Sequence, residues 1–194
     1  DVRETLDRQI NYNTAIAEEG LRGDYGANIG SVLLATYGDS IMVRAKAKAA
    51  AGSDARMNGC ELPVVINSGS GNQGMTTSLP VIEYAKELGV DHDTLLRALV
   101  VANLTTIHQK TSIGRLSAFC GAVSAGAGAG AGLGSSTVLS KAAPNAAADL
   151  ADAGAFLTAG SITESKRDTV LTFVVSSGLT AGLPLSFSSR FCFS

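Results

Sequence analysis

The feature that most constrains this chain is Leu116–Ser140, 25 residues without a charge, in which Gly121–Gly134 alone holds six glycines and five alanines. Glycine costs a helix about 1 kcal/mol relative to alanine, so a run like this becomes helical only where other backbones close over it. Its length is enough for a membrane span, but glycine and alanine contribute little transfer energy each, and a tightly buried helix is the expectation instead of a span. The same bias runs through the whole sequence, where 22 glycines and 29 alanines make up about a quarter of 194 residues. With 45% apolar residues the chain can bury a core. With only 16% charged residues, well below the usual quarter or so, small side chains must build much of that core.

Composition also excludes function classes. Ten Phe and Tyr, no Trp and a net charge of −2 provide neither the stacking platform nor the basic field of a nucleic-acid binder. Three cysteines, Cys60, Cys120 and Cys192, are an odd count that does not make a self-contained disulfide scaffold. They suit a reducing cytosol, and a cytoplasmic location is expected. The charged opening Asp1–Ile10 lacks the apolar stretch of a signal peptide, and the missing initiator Met suggests a fragment or a processed start.

Along the chain the periodicity predicts a mainly α fold, a helical domain with a glycine-rich loop and a buried Gly/Ala-rich helix. Residues 1–19 read as a helix or linker. Ser31–Ala51 reads as an alanine-rich helix stopped by Gly52, with Arg44, Lys46 and Lys48 in the half that complements the macrodipole. Thr76–Leu88 is a helix closed by Gly89, and Asp91 caps a second, Asp93–Gln109, whose face carries Leu95, Leu96, Leu99, Val100, Asn103, Leu104 and Ile107. A polar break, Lys110–Arg115, leads to the glycine-rich helix Ala118–Leu133, and helices are expected at Asn145–Leu157 and Ser161–Ser177, the latter burying Val170, Leu171, Val174 and Val175. Val64–Asn67 is the one tempting strand.

Two constellations carry chemistry. Gly69-Ser-Gly71-Asn-Gln-Gly74 fits the spacing of a dinucleotide fingerprint, but the acidic residue that should end a second strand about 20 positions on falls in a turn between helices. The nucleotide reading is therefore set aside. Glycines that let backbone amides approach an anion at a helix N-terminus still suit a small carboxylate or phosphate, with Ser68, Ser70, Asn72 and Gln73 as further donors. A tight helix-entry turn without a ligand explains the same residues. The second constellation is Asn103, His108, Gln109, Lys110, Thr111 and Arg115, cations beside a small-residue core. It suits an anionic substrate and would favour the thiolate of Cys120, while helix capping by Lys110 and a structural His108 stand as the plain alternatives.

Three runs carry a resemblance: Asn58-Gly-Cys-Glu-Leu-Pro-Val-Val-Ile-Asn-Ser-Gly-Ser-Gly-Asn-Gln-Gly74, then Pro80-Val-Ile-Glu-Tyr-Ala-Lys86, then His108-Gln-Lys-Thr-Ser-Ile-Gly-Arg-Leu-Ser-Ala-Phe-Cys-Gly-Ala-Val-Ser-Ala-Gly126. Together they resemble the L-cysteine desulfidase family, which is similar to the α region of bacterial iron–sulfur L-serine dehydratases. The likeness runs from about Gly20 to about Gly178 and corresponds to the C-terminal half of longer relatives. It implies an all-α fold and a 4Fe–4S cluster that removes a β-substituent from a small amino acid, hydrogen sulfide from L-cysteine or water from L-serine, leaving pyruvate and ammonia. By the same resemblance Cys120 is a cluster ligand, and Ser68, Gly69, Ser70, Gly71, Asn72, Gln73 and Gly74 hold the substrate's α-carboxylate. Location and chemistry add Lys110 and Arg115 as charge complements and His108 as a proton-transfer group. Cys60 falls where relatives vary and is expected to be a packed thiol.

The likeness breaks at the end. After Val174-Val-Ser-Ser-Gly178 the family continues into a Cys-Asp-Gly-Ala-Lys motif with two further cluster cysteines; here Leu179–Ser194 has a Ser/Phe-rich tail with Cys192 out of place. The division expected is thus 1–19, 20–178 and an aberrant tail, 179–194, from truncation or a frame shift. One thiolate cannot hold a cluster by itself, so the cluster is expected not to be retained and the chain to be inactive as given. The competing reading is a non-catalytic helical remnant that binds a small anion or only packs. A small amino acid is the expected partner, neither nucleic acid nor membrane is, and a homo-oligomer is left open.

Overall fold

The structure, a computed structural model, describes residues 2–111, 114 and 121–135. The helices expected at 145–157 and 161–177, the tail, Arg115, Cys120 and Cys192 lie outside the described residues. Within them the chain is mainly α, as expected: α1 (Arg3–Arg22), α2 (Ile29–Tyr37), α3 (Ile41–Met57), α4 (Gly71–Leu88), α5 (His92–Thr111) and α6 (Ala122–Leu133). Among the described residues no helix is long and apolar enough to cross a membrane.

Helix α4 is the axis of the bundle. It packs against α1, α3, α5 and α6 and buries Met75, Leu79, Val81, Ile82, Tyr84 and Ala85 on several sides at once, the pattern of a helix surrounded by others. Ser70 caps its start, and Gly89, at φ 60°, ends it in the left-handed conformation that glycine adopts without strain. On one side Val81, Ile82 and Tyr84 meet Leu96, Leu99 and Ala102 of α5 and Leu133 of α6; on the other, Met75 and Leu79 meet Ile16 and Ala17 of α1 and Ala55 of α3. Helix α1 is integral to this core, and the boundary expected at residue 19 falls inside it.

Several expected elements change. The helix expected at 31–51 is two, α2 and α3, parted at Gly38 (φ 79°) and restarted by Ser40, whose hydroxyl accepts from the Val43 amide. Gly52 does not stop a helix; it lies inside α3, where a Cβ would come within 2.7 Å of Met75 Sδ and 3.5 Å of Ala17 Cα. Its smallness lets α1, α3 and α4 approach one another. Arg44 and Lys48 consequently fall in the first half of α3, where the macrodipole gains nothing from them. They pair instead with acids on other elements, Arg44 with Asp39 and Glu87, Lys48 with Glu83 at 2.7 Å and Glu18 at 3.7 Å.

Val64–Asn67 forms no strand. The Val65 amide donates to Asn13 Oδ1 at 2.9 Å, and Asn13 Nδ2 donates to Ser78 Oγ at 3.0 Å, so a buried side chain from α1 satisfies this segment in place of a sheet. Helix α5 buries Leu96 and Leu99 and packs Leu95 and Val100 against the core, as expected, but its C-terminal half departs from the expected face. Ala98, Leu99, Ala102, Thr106 and Lys110 are buried, whereas Leu104 and Ile107 are 59% and 47% exposed. The reason lies in α6: a Cβ at Gly132 would meet Ala102 Cβ at 2.8 Å and Ala98 O at 2.9 Å, and one at Gly128 would meet Ala102 O at 2.5 Å. Two backbones this close admit Ala and Thr between them and no leucine.

Candidate functional site

The site is built from the turn that enters α4. Asn67 and Ser70 exchange backbone hydrogen bonds, both 3.1 Å, around Ser68 (φ 49°) and Gly69 (φ 87°). Two successive residues at positive φ make a type I′-like turn, and glycine is the residue that takes the second place without strain. Ser70 then caps the helix, its hydroxyl accepting from the Gln73 amide, and Gly71, Asn72, Gln73 and Gly74 form the first turn of α4, five residues before the helix start expected at Thr76.

The glycines have local reasons. A Cβ at Gly71 would sit 2.5 Å from Arg56 Nε and 2.7 Å from Val64 Cγ2, and one at Gly74 would overlap the Val65 carbonyl oxygen. Their spacing is thus explained by the protein's own packing, as the helix-entry reading supposed. What remains for a ligand is the N-terminus of α4, whose first amides have no partner within the helix.

A second N-terminus lies beside it. Gly121 caps α6, and a Cβ there would collide with the amide of Gln73. The starts of α4 and α6 therefore meet. From α5, Thr106 reaches the same neighbourhood, its hydroxyl 3.2 Å from Thr77 Oγ1 and hydrogen-bonded to Ala102 O at 2.9 Å. The face bearing Ala102 and Thr106 runs antiparallel to α6, against Gly132 and then Gly128, so one turn further it carries Lys110 toward the α6 start. Lys110 is only 2% exposed, and no Asp or Glu among the described residues pairs with it. An ammonium buried without a counter-charge is costly, and an anion held beside it would relieve that cost.

The remaining candidates separate. His108, two residues from Lys110 on α5, is exposed, so the structure turns the two apart. Cys60 is half-buried in the core that contains Ile16 and Met75, the packed thiol expected of it. The neighbouring Cys60 side chain, followed by burial and then by Glu19, raises the Tyr25 phenol above its ordinary value. Among the described residues no group of three or more His, Cys, Asp or Glu could hold a metal ion. These residues therefore offer no thiolate set for a cluster.

One residue escaped the sequence reading. Asn67, expected at the end of a strand, is 4% exposed and donates from Nδ2 to Asn103 Oδ1 at 2.8 Å, while Asn103 Nδ2 donates to Gln9 Oε1 and to Leu99 O, both 2.8 Å. No periodicity announces such a chain of amides; the signal was only that Gln9, Asn67 and Asn103 are polar in otherwise apolar surroundings.

With this geometry in hand the comparisons are specific. The family described as serine dehydratase alpha chain matches residues 1–153. The chain belongs to the serine dehydratase α-chain family. The match takes in all of α1, and the resemblance read from the three motifs stands. Members of this family are lyases that generally depend on iron–sulfur and act on small amino acids. A UPF0597 protein of Desulfitobacterium hafniense is 70% identical over 126 residues, 65% of this chain and 29% of its own length. One from Lachnoclostridium phytofermentans is 68% identical over 127 residues, 66% of this chain and 30% of its own, and one from Finegoldia magna 54% over 126 residues, 65% and 30%. The matched part thus spans under a third of each of these relatives. No solved structure matches.

Proposed function

We propose that this chain carries the amino-acid site of a β-eliminating lyase, converting L-cysteine to pyruvate, ammonia and hydrogen sulfide, or L-serine to pyruvate and ammonia. The observation that supports this most is Lys110, buried without an acidic partner among the described residues and directed by its helix toward the adjoining starts of α4 and α6. A substrate α-carboxylate placed there would neutralise the ammonium and accept hydrogen bonds from the first amides of α4. Fixing the carboxylate fixes the α-carbon, the atom that loses its proton. Expulsion of the β-thiolate or hydroxide then gives an enamine, which tautomerises to the imine and hydrolyses. The family's iron–sulfur cluster would supply a Lewis acid for the leaving group; the described residues include no thiolate set to hold it. His108 faces away from this site and is assigned no step. The free thiol of Cys60 and the odd cysteine count favour a reducing, cytoplasmic setting.

Lys110→Met keeps the side chain's length and removes its charge. Calorimetric titration with L-serine should show the affinity fall at least about tenfold, the worth of one charge-assisted hydrogen bond, while the unfolding free energy from urea titration stays within about 1 kcal/mol of the parent because no buried counter-charge is abandoned. Unchanged L-serine affinity in a folded Lys110→Met chain sinks the assignment.

A further inference from the structure

We propose that Asn67 and Gln73 form the ammonium-recognising half of this site, an inference that rests on the carboxylate reading above. The backbone oxygen of Leu99 can only accept, so the atom of Asn103 lying 2.8 Å from it must be the donor Nδ2. Asn103 Oδ1 is then the acceptor, and it takes hydrogen bonds from Gln9 Nε2 at 3.1 Å and Asn67 Nδ2 at 2.8 Å. The orientation of the Asn67 amide follows: its nitrogen faces Asn103, and its oxygen is turned out of the network.

That oxygen is buried and has no hydrogen-bond partner among the described residues, and the same is true of Gln73 Oε1. Both belong to the turn that enters α4, Asn67 at its base and Gln73 in the first helical turn against Gly121. Two buried acceptors left without donors are costly, and they share one chemical need, a group that only donates. An ammonium has three N–H donors and no acceptor. Because the acceptors are neutral amides, they bind it without cancelling the charge of Lys110, which stays available for an anion. The turn and Lys110 thus offer the acceptors and the cation that the two charged groups of a zwitterion need, and the site selects α-amino acids over the same acids lacking nitrogen.

The test titrates the chain with L-serine and with 3-hydroxypropanoate, which keeps the carboxylate and hydroxyl and lacks the ammonium. L-Serine should bind at least tenfold more tightly. Asn67→Ala and Gln73→Leu should each bring L-serine to within threefold of 3-hydroxypropanoate, while 3-hydroxypropanoate itself binds within threefold of its parent affinity, a selectivity readout that a merely structural role would not move. If Asn67→Ala does not fold, Gln73→Leu decides alone. Equal binding of both acids by the parent chain, as would follow if Lys110 itself occupied the acceptors, overturns the inference and leaves the carboxylate site standing, as does a tenfold preference that survives in the folded variants. Binding of neither acid overturns the carboxylate reading and this one with it.

Discussion

Gly74 has no room for a methyl group: a Cβ there would overlap the Val65 carbonyl, and neither backbone can turn aside, since the Gly74 amide is bound to Ser70 O and Val65 is held by Asn13. Gly74→Ala should therefore lower the unfolding free energy by about 1–3 kcal/mol in urea titration, the usual cost of forcing a methyl into a packed site. Gly69→Ala meets its penalty in conformation alone, at φ 87° on an exposed turn, and should cost about 1 kcal/mol. Equal and negligible effects would mean that neither glycine is demanded by the turn. The glycine spacing was plain in the sequence, but spacing reports only that a side chain is excluded. Whether a ligand or a carbonyl excludes it is decided by Val65 and Arg56, residues that no local motif places there. Lys110 was legible as one of several cations and not as the buried one, because its burial depends on which face of α5 turns inward.

At the scale of elements, that face is chosen by α6. Composition made the glycine-rich helix visible, and its close approach to a partner was a fair expectation. The partner's face was legible in its first half, at Leu96 and Leu99, but not beyond, because Leu104 and Ile107 weigh more on any hydrophobicity count than Ala102 and Thr106. Distance overrules that count: with Gly128 and Gly132 against α5, only small side chains fit between. The rule can be tested within two residues of one helix. Gly128→Ala would drive its Cβ into Thr106 and to 2.5 Å from Ala102 O, whereas a Cβ at Gly130 would meet nothing within 4 Å among the described residues. Thermal unfolding should show Gly128→Ala destabilised by about 1–3 kcal/mol and Gly130→Ala stabilised by up to about 1 kcal/mol, alanine's helical advantage over glycine. Reversal of the two signs would mean that α6 packs through a different stripe.

Across the whole molecule the axial helix α4 is tied to its neighbours by charge as well as by packing. Glu83 has a side chain only 6% exposed and meets Lys48 of α3 at 2.7 Å, with Lys86 at 3.3 Å; Lys48, 14% exposed, also reaches Glu18 of α1 at 3.7 Å. Three helices share this one cluster. The basic residues of α3 were read from sequence as servants of their own helix dipole, because the acids they meet on α4 lie 35 positions away for Lys48 and 43 for Arg44, beyond any local pattern. Lys48→Met alone leaves a buried carboxylate with a single, half-exposed partner and should cost about 2–3 kcal/mol, somewhat less than a fully buried pair because Lys86 remains. Arg3→Ala removes a pair with both side chains 61% exposed and should cost under about 1 kcal/mol. Lys48→Met combined with Glu83→Leu removes both charges and fills the space with apolar groups, so its stability should lie above that of Lys48→Met alone. If the double variant is instead the least stable of the three, attraction across the α3–α4 interface outweighs the cost of drying its charges, and the cluster binds these helices together instead of merely tolerating burial.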